Sequence, residues 1–226
     1  MVVLHLLVGG VDVWAGAPPS SILLGDRSPQ ALVLFGARAD WLIRTGEPWR
    51  LLSCVFLHAG FFHLALNMLA LFGLGRLCEA VYGPQRLLGM FLVSGLLGSV
   101  LSYIGGTELS VGASGAVFGL MGAGVVFGIR SRSRLPAPLR SVFGRGLMPW
   151  VVLNLVIGLS VPRIDNLGHI GGMLGGAGCA LFFGDRLVPG REGVPRLLRA
   201  STGIGIGLLA WTGVQMARAV GHVFFG

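Results

Sequence analysis

Seven apolar stretches, near residues 1–15, 51–74, 86–105, 114–130, 147–161, 167–184 and 201–223, are separated by polar or arginine-bearing connections. Most approach the ~20 residues needed to cross a hydrocarbon core. A chain built this way has too much apolar surface to hide in one water-soluble core. Charged residues make up 12% of the 226, against about 25% in soluble domains. The sequence therefore predicts an all-α fold, a polytopic transmembrane helical bundle.

The arginines orient that bundle. All 17 basic residues are Arg. The even-numbered connections carry Arg76 and Arg86, then Arg130, Arg132, Arg134, Arg140 and Arg145, then Arg186, Arg191, Arg196 and Arg199. The odd-numbered ones hold Arg27, Arg38, Arg44, Arg50 and Arg163. By the positive-inside rule the N-terminus and the even connections are cytoplasmic, and the C-terminus lies outside. In a membrane bundle the net charge of +8 does not imply nucleic acid; the expected partner is the lipid bilayer.

The first stretch is short for a span and contains Asp12; it lacks the basic start and cleavage site of a signal peptide. Residues 16–50 form a long loop in which aromatics sit beside prolines, as suits a segment in the headgroup region. Cys54, Cys78 and Cys179 form no spaced framework and read as packing residues. The frequent glycines (39) suit close helix packing.

Polar residues inside such a bundle are costly and face its interior or a water-filled cavity. His58, His63 and Asn67 form an H-x4-H-x3-N pattern, and the last two share a helical face. Taken alone they suit interhelical hydrogen bonding as well as chemistry. Ser114 stands between Gly112-Ala113 and Gly115 at the start of an apolar helix, where a cap is the ordinary reading. His169 begins another helix, with Gly172 and Gly176 on its face; Gly115, Gly119 and Ala123 make a matching stripe after Ser114. If the two stripes pack, Ser114 and His169 meet at one depth near the outer surface. A neutral imidazole could then take the proton that makes a serine nucleophilic. The Ser114 N–H at a helix N-terminus, with His63 and Asn67, could receive an oxyanion. No acidic ligand accompanies the histidines and no His-Glu-x-x-His is present, so neither a metal nor another cofactor is expected. Asp165, four residues before His169, reads as a solvated loop carboxylate or a partner of Arg163.

In these residues the chain resembles the rhomboid family of intramembrane serine proteases. The resemblance covers 46–184 and rests on Trp49-Arg50, His58-x4-His63-x3-Asn67, Glu79-x3-Gly83, Gly112-Ala113-Ser114-Gly115, and Asn166-x2-His169-x2-Gly172-x3-Gly176. It implies a serine endopeptidase with Ser114 as nucleophile, His169 as general base, and His63, Asn67 and the Ser114 N–H as oxyanion hole. It gives supporting roles to Trp49, Arg50, His58, Glu79, Gly112, Gly115, Phe118, Asn166, Gly172 and Gly176. Position 118 is Phe where several relatives have Tyr; its ring can still stack on His169, without a hydroxyl. The implied architecture is a six-helix core over 1–184, with 1–15 as a short first helix and 16–50 as an interfacial loop. A cytoplasmic basic loop and seventh helix follow over 185–226. The implied substrates are single-pass transmembrane proteins, cut from the outer side of a bacterial cytoplasmic membrane. An inactive helix-binding relative, or less plausibly a small transporter, are the competing classes; the retained serine and histidine speak against the first, and polar residues clustered near one surface against the second.

Overall fold

A computed structural model of the chain describes residues 1–161, 164–186 and 195–225, the side chains of 195–202 and 225 excepted. Arg163 and Arg191, and the side chains of Arg196 and Arg199, lie outside the described residues. Helix α1 (Val2–Trp14) leads into a loop folded around four short helices, α2 (Ser21–Leu24), α3 (Pro29–Leu34), α4 (Asp40–Arg44) and α5 (Arg50–Ser53). A 3-10 turn at Cys54–Phe56 precedes α6 (Phe61–Tyr82) and α7 (Pro84–Ile104). Then come α8 (Ser114–Arg130), α9 (Ala137–Val142), α10 (Met148–Ser160), α11 (Asn166–Phe182) and α12 (Pro195–Phe225). Among the described residues, α6 and α7 are the helices long and apolar enough to cross a membrane; α1 and α8 are shorter apolar helices. The strands β1 (Arg38–Ala39) and β2 (Leu109–Ser110) pair antiparallel and clip the loop to the segment before α8.

The second apolar stretch divides where periodicity shows no break. Residues 51–60 are not part of the spanning helix. Gly60 is fully extended at φ −177°, Ala59 accepts a hydrogen bond from the Arg27 N–H (2.7 Å), and Gly60 bridges Asp26. This tether holds the chain across the end of α6, so the helix starts at Phe61 and continues to Tyr82, beyond the expected end near 74. Its last turns are held by packing: Cys78, Val81 and Tyr82 are buried with Met90, Leu120, Ala123 and Phe127, and the Tyr82 hydroxyl donates to the Ala123 carbonyl at 3.1 Å.

Three of the four loop arginines, Arg27, Arg38 and Arg50, are buried, while Arg44 is exposed. Arg38 is fully buried, donating to Asp40 and to the Thr107 carbonyl (2.6 Å). Buried Arg50 donates to Glu47 (2.8 Å) and to the carbonyls of Val33 (2.5 Å) and Ala37 (3.1 Å), and stacks over Trp49. Arg27 meets His5 Nε2 of α1 (2.7 Å) and the carbonyls of Ser21 and Ile22 (2.6 Å each). A buried guanidinium is tolerated only when its donors find such partners. The long loop is thus a folded platform.

The central packing is between α7, α8 and α11. A Cβ added at Gly172 would collide with the Gly115 carbonyl oxygen, and one at Gly176 with that of Gly119. The two backbones touch, an approach that any larger residue forbids. The outward faces of α6 and α10 carry exposed Phe62, Leu66, Leu69, Phe72, Trp150, Val156 and Leu159. Cys54, Cys78 and Cys179 are free and buried.

Candidate active site

Ser114 is the first residue of α8, and Ala113 is the N-cap, which has no side-chain cap bond. The serine hydroxyl instead meets His169 Nε2 at 2.9 Å. The Gly115–Gly172 contact sets this distance, because Ser114 and His169 lie one and three residues from it. As the first helical residue, Ser114 also keeps an N–H with no intrahelical acceptor. Ser114 is half-buried and His169 buried.

The Phe118 ring, one turn into α8, lies flat on the imidazole, with centroids 4.2 Å apart and planes within 9°. His169 Nδ1 has no hydrogen-bond partner among the described residues. Ring orientation is therefore held by stacking and by the Ser114 bond, not by a carboxylate.

The α6 residues flank this pair. His63 Nδ1 accepts from the Ala59 N–H at 3.3 Å, which assigns the proton of a neutral ring to Nε2. A Cβ on Gly112 would lie 2.7 Å from that Nε2 and 3.9 Å from Ser114 Oγ. His63 Nε2 and the Ser114 hydroxyl thus border one small space, kept open by a glycine at φ +129°. Asn67, one turn on and buried, donates one amide N–H to the His63 carbonyl at 2.8 Å and has a second to give. His58 is buried with its ring edge-on to His63 at 5.1 Å. Burial above all, and then the neighbouring His63, pushes the His58 pKa down to about 3.

Some residues stand elsewhere. Trp49 and Arg50 are in the loop platform. Glu79 is exposed, sixteen residues along α6 from His63 and so about 24 Å away; no ion pair engages it among the described residues. Asn166 donates to the Leu155 carbonyl (3.4 Å), tying α11 to α10.

Asp165 differs most from its sequence reading. It is half-buried, not solvated. Its Oδ1 caps α11 by accepting the Gly168 N–H at 2.8 Å, while Oδ2 accepts from Ser102 of α7 and from Ser110 of β2 (2.8 Å). The carboxylate pins the start of the histidine helix to two other elements. An Asp before an apolar glycine-rich helix is an N-cap signal; nothing marked Ser102 or Ser110.

A family model, the rhomboid domain, matches residues 45–186. The chain belongs to the rhomboid family. Its fold is accordingly the all-α rhomboid fold, and the protein is an integral membrane protein. The "Rhomboid protease GluP" of Bacillus subtilis (strain 168) is 41% identical over 152 residues, covering 67% of this chain and 29% of that protein. "RHOMBOID-like protein 5" of Arabidopsis thaliana is 40% identical over 159 residues, 69% of this chain and 50% of the relative. The "Rhomboid protease AarA" of Providencia stuartii is 34% identical over 174 residues, 67% of this chain and 62% of its own length. This rhomboid thus spans between about a third and two thirds of the length of these relatives.

Proposed function

We propose that this rhomboid is an intramembrane serine endopeptidase using a Ser114–His169 dyad. The observation that carries the reading is the 2.9 Å contact between Ser114 Oγ and His169 Nε2 at the N-terminus of α8. As a peptide carbonyl is attacked by Oγ, the hydroxyl proton passes to Nε2 and the carbonyl π-electrons move onto oxygen. That oxyanion receives hydrogen bonds from the Ser114 N–H, His63 Nε2–H and the second Asn67 amide N–H. The protonated Nε2 then gives its proton to the departing amine nitrogen as the C–N bond breaks, leaving an ester on Ser114. Water, deprotonated by the same Nε2, attacks that ester and returns the serine. The flat Phe118 ring and the Ser114 bond hold the imidazole, the orienting task that the carboxylate performs in Ser-His-Asp triads.

The substrates are single-pass transmembrane proteins cut within or near a loosened spanning helix, because an intact helix keeps its carbonyls in internal bonds. We further propose six core helices over 1–184 and a seventh after the basic loop, with the N-terminus cytoplasmic and the site opening to the outer side of a bacterial cytoplasmic membrane. Reconstitution in vesicles with single-pass helices carrying a fluorescent reporter tests the reading. Cleavage by the wild type and none by Ser114→Ala is the expected result; cleavage by Ser114→Ala overturns the assignment.

A further inference from the structure

Between α12 and the loop platform lies an open groove of about 250 Å³ that neither dyad residue lines. Helix α12 docks through one stripe: Leu209, buried Thr212, Met216 and Val220, of which Leu209 packs on the Leu52–Val55 cluster and Met216 and Val220 on the cluster of Val8, Ala31 and Phe35. The adjoining face, Trp211, Gln215, Arg218 and His222, lines the groove opposite Glu47 and Trp49. From Trp211 to His222 the groove follows α12 for about 16 Å.

The lining is graded. At one end stand Arg218 and His222, close to where Phe224 meets Trp14 edge-on at 5.3 Å. No salt bridge among the described residues engages Arg218, an exposed guanidinium with all its donors to offer. On the platform side of the groove is Glu47, already bonded to Arg50 through Oε2 at 2.8 Å, with Oε1 left to accept. The indole of Trp211 is part-exposed, and the buried Trp49 backs the opposite wall. An uncommitted cation, a carboxylate oxygen and aromatic surface within one cleft suit a molecule carrying both charges. A guanidinium binds a phosphodiester through paired N–H donors. A carboxylate and an indole together bind an ammonium. Trp211, seven residues and so about 10 Å before Arg218 on α12, offers apolar contact to the stem of the same molecule.

We propose that this groove is a binding site for a zwitterionic phospholipid headgroup of the phosphoethanolamine type, with Arg218 on the phosphate and Glu47 on the ammonium. The lipid would brace α12 against the loop platform, independently of whether the dyad is catalytic.

Native mass spectrometry of the purified full chain, released from micelles doped with phosphatidylethanolamine or phosphatidylglycerol, tests this. The wild type should retain phosphatidylethanolamine about tenfold more than phosphatidylglycerol. Arg218→Gln, at an exposed position, should lower that retention about tenfold, the effect of one charge-assisted contact. Glu47→Gln should bring the two lipids level. Soluble phosphoethanolamine at the same concentration should leave no adduct. Equal retention of the two lipids by the wild type, or unchanged retention in Arg218→Gln, overturns the proposal. Binding of phosphoethanolamine as tight as the lipid assigns the groove to a free phosphate compound and overturns it equally.

Discussion

Replacing Gly172 by alanine adds one methyl group at the α8–α11 contact. That methyl would sit on the Gly115 carbonyl oxygen, which belongs to helical backbone and cannot rotate away. The helices must therefore separate locally or slide. Overpacking of this kind costs ~1–3 kcal/mol, a fall in Tm of roughly 4–8 °C for about 2 kcal/mol in a chain of this size. Because Ser114 adjoins Gly115 and His169 lies three residues before Gly172, a separation of about 1 Å carries the Oγ–Nε2 distance from 2.9 Å beyond hydrogen-bond range. A displacement of that size lowers reactivity about 10²-fold. Gly178, on the same helix, supplies the control: a Cβ there meets nothing within 4 Å. Gly178→Ala should be neutral or stabilising by up to ~1 kcal/mol. The assay is the rate of fluorophosphonate labelling per folded molecule, with thermal unfolding measured in parallel. If Gly172→Ala keeps wild-type rate and Tm, the backbone seam does not set the dyad, and the packing argument is wrong.

Other outcomes follow from the same geometry. Asn67→Ala should lower turnover by about 10²–10³ while substrate binding is retained; a folded variant that cleaves at the wild-type rate would reduce Asn67 to interhelical hydrogen bonding. Phe118→Leu should lower labelling up to about tenfold, the upper value of an aromatic stacking contribution, and Phe118→Tyr should not; equal rates for Leu and Phe would show that stacking does not orient the imidazole. Asp165→Ala should destabilise by roughly 2–3 kcal/mol, from one lost helix cap and two lost hydroxyl bonds; a thermal unfolding midpoint equal to that of the wild type would show that the carboxylate does not pin the start of α11.

Much of the site lies open in the sequence because it depends on local spacing. Gly115-x3-Gly119 and Gly172-x3-Gly176 each keep one helical face bare, and two bare faces bring their neighbours Ser114 and His169 together. His63 and Asn67 share a face by the same rule. What spacing does not carry is the long-range hydrogen bonding of polar groups. Arg38 and Arg50 resemble loop charges until their acceptors, in Thr107, Val33 and Ala37, are brought near by folding. Asp165 could be read as a cap, yet Ser102 and Ser110 are 63 and 55 residues away and signal nothing. The start of α6 escaped for a similar reason: residues 51–60 are as apolar as the helix, and only the tether from Arg27 and Asp26 turns the chain. Glu79 shows the opposite limit, since a motif groups it with the site while the helix carries it to the far end.

The dyad itself is tested most directly by mass spectrometry of the full chain after reaction with a fluorophosphonate in vesicles. The account predicts one adduct, on Ser114, abolished in Ser114→Ala and lowered at least 10³-fold in His169→Ala with both variants folded. An adduct on another residue, or undiminished labelling of Ser114 when His169 is alanine, would contradict it.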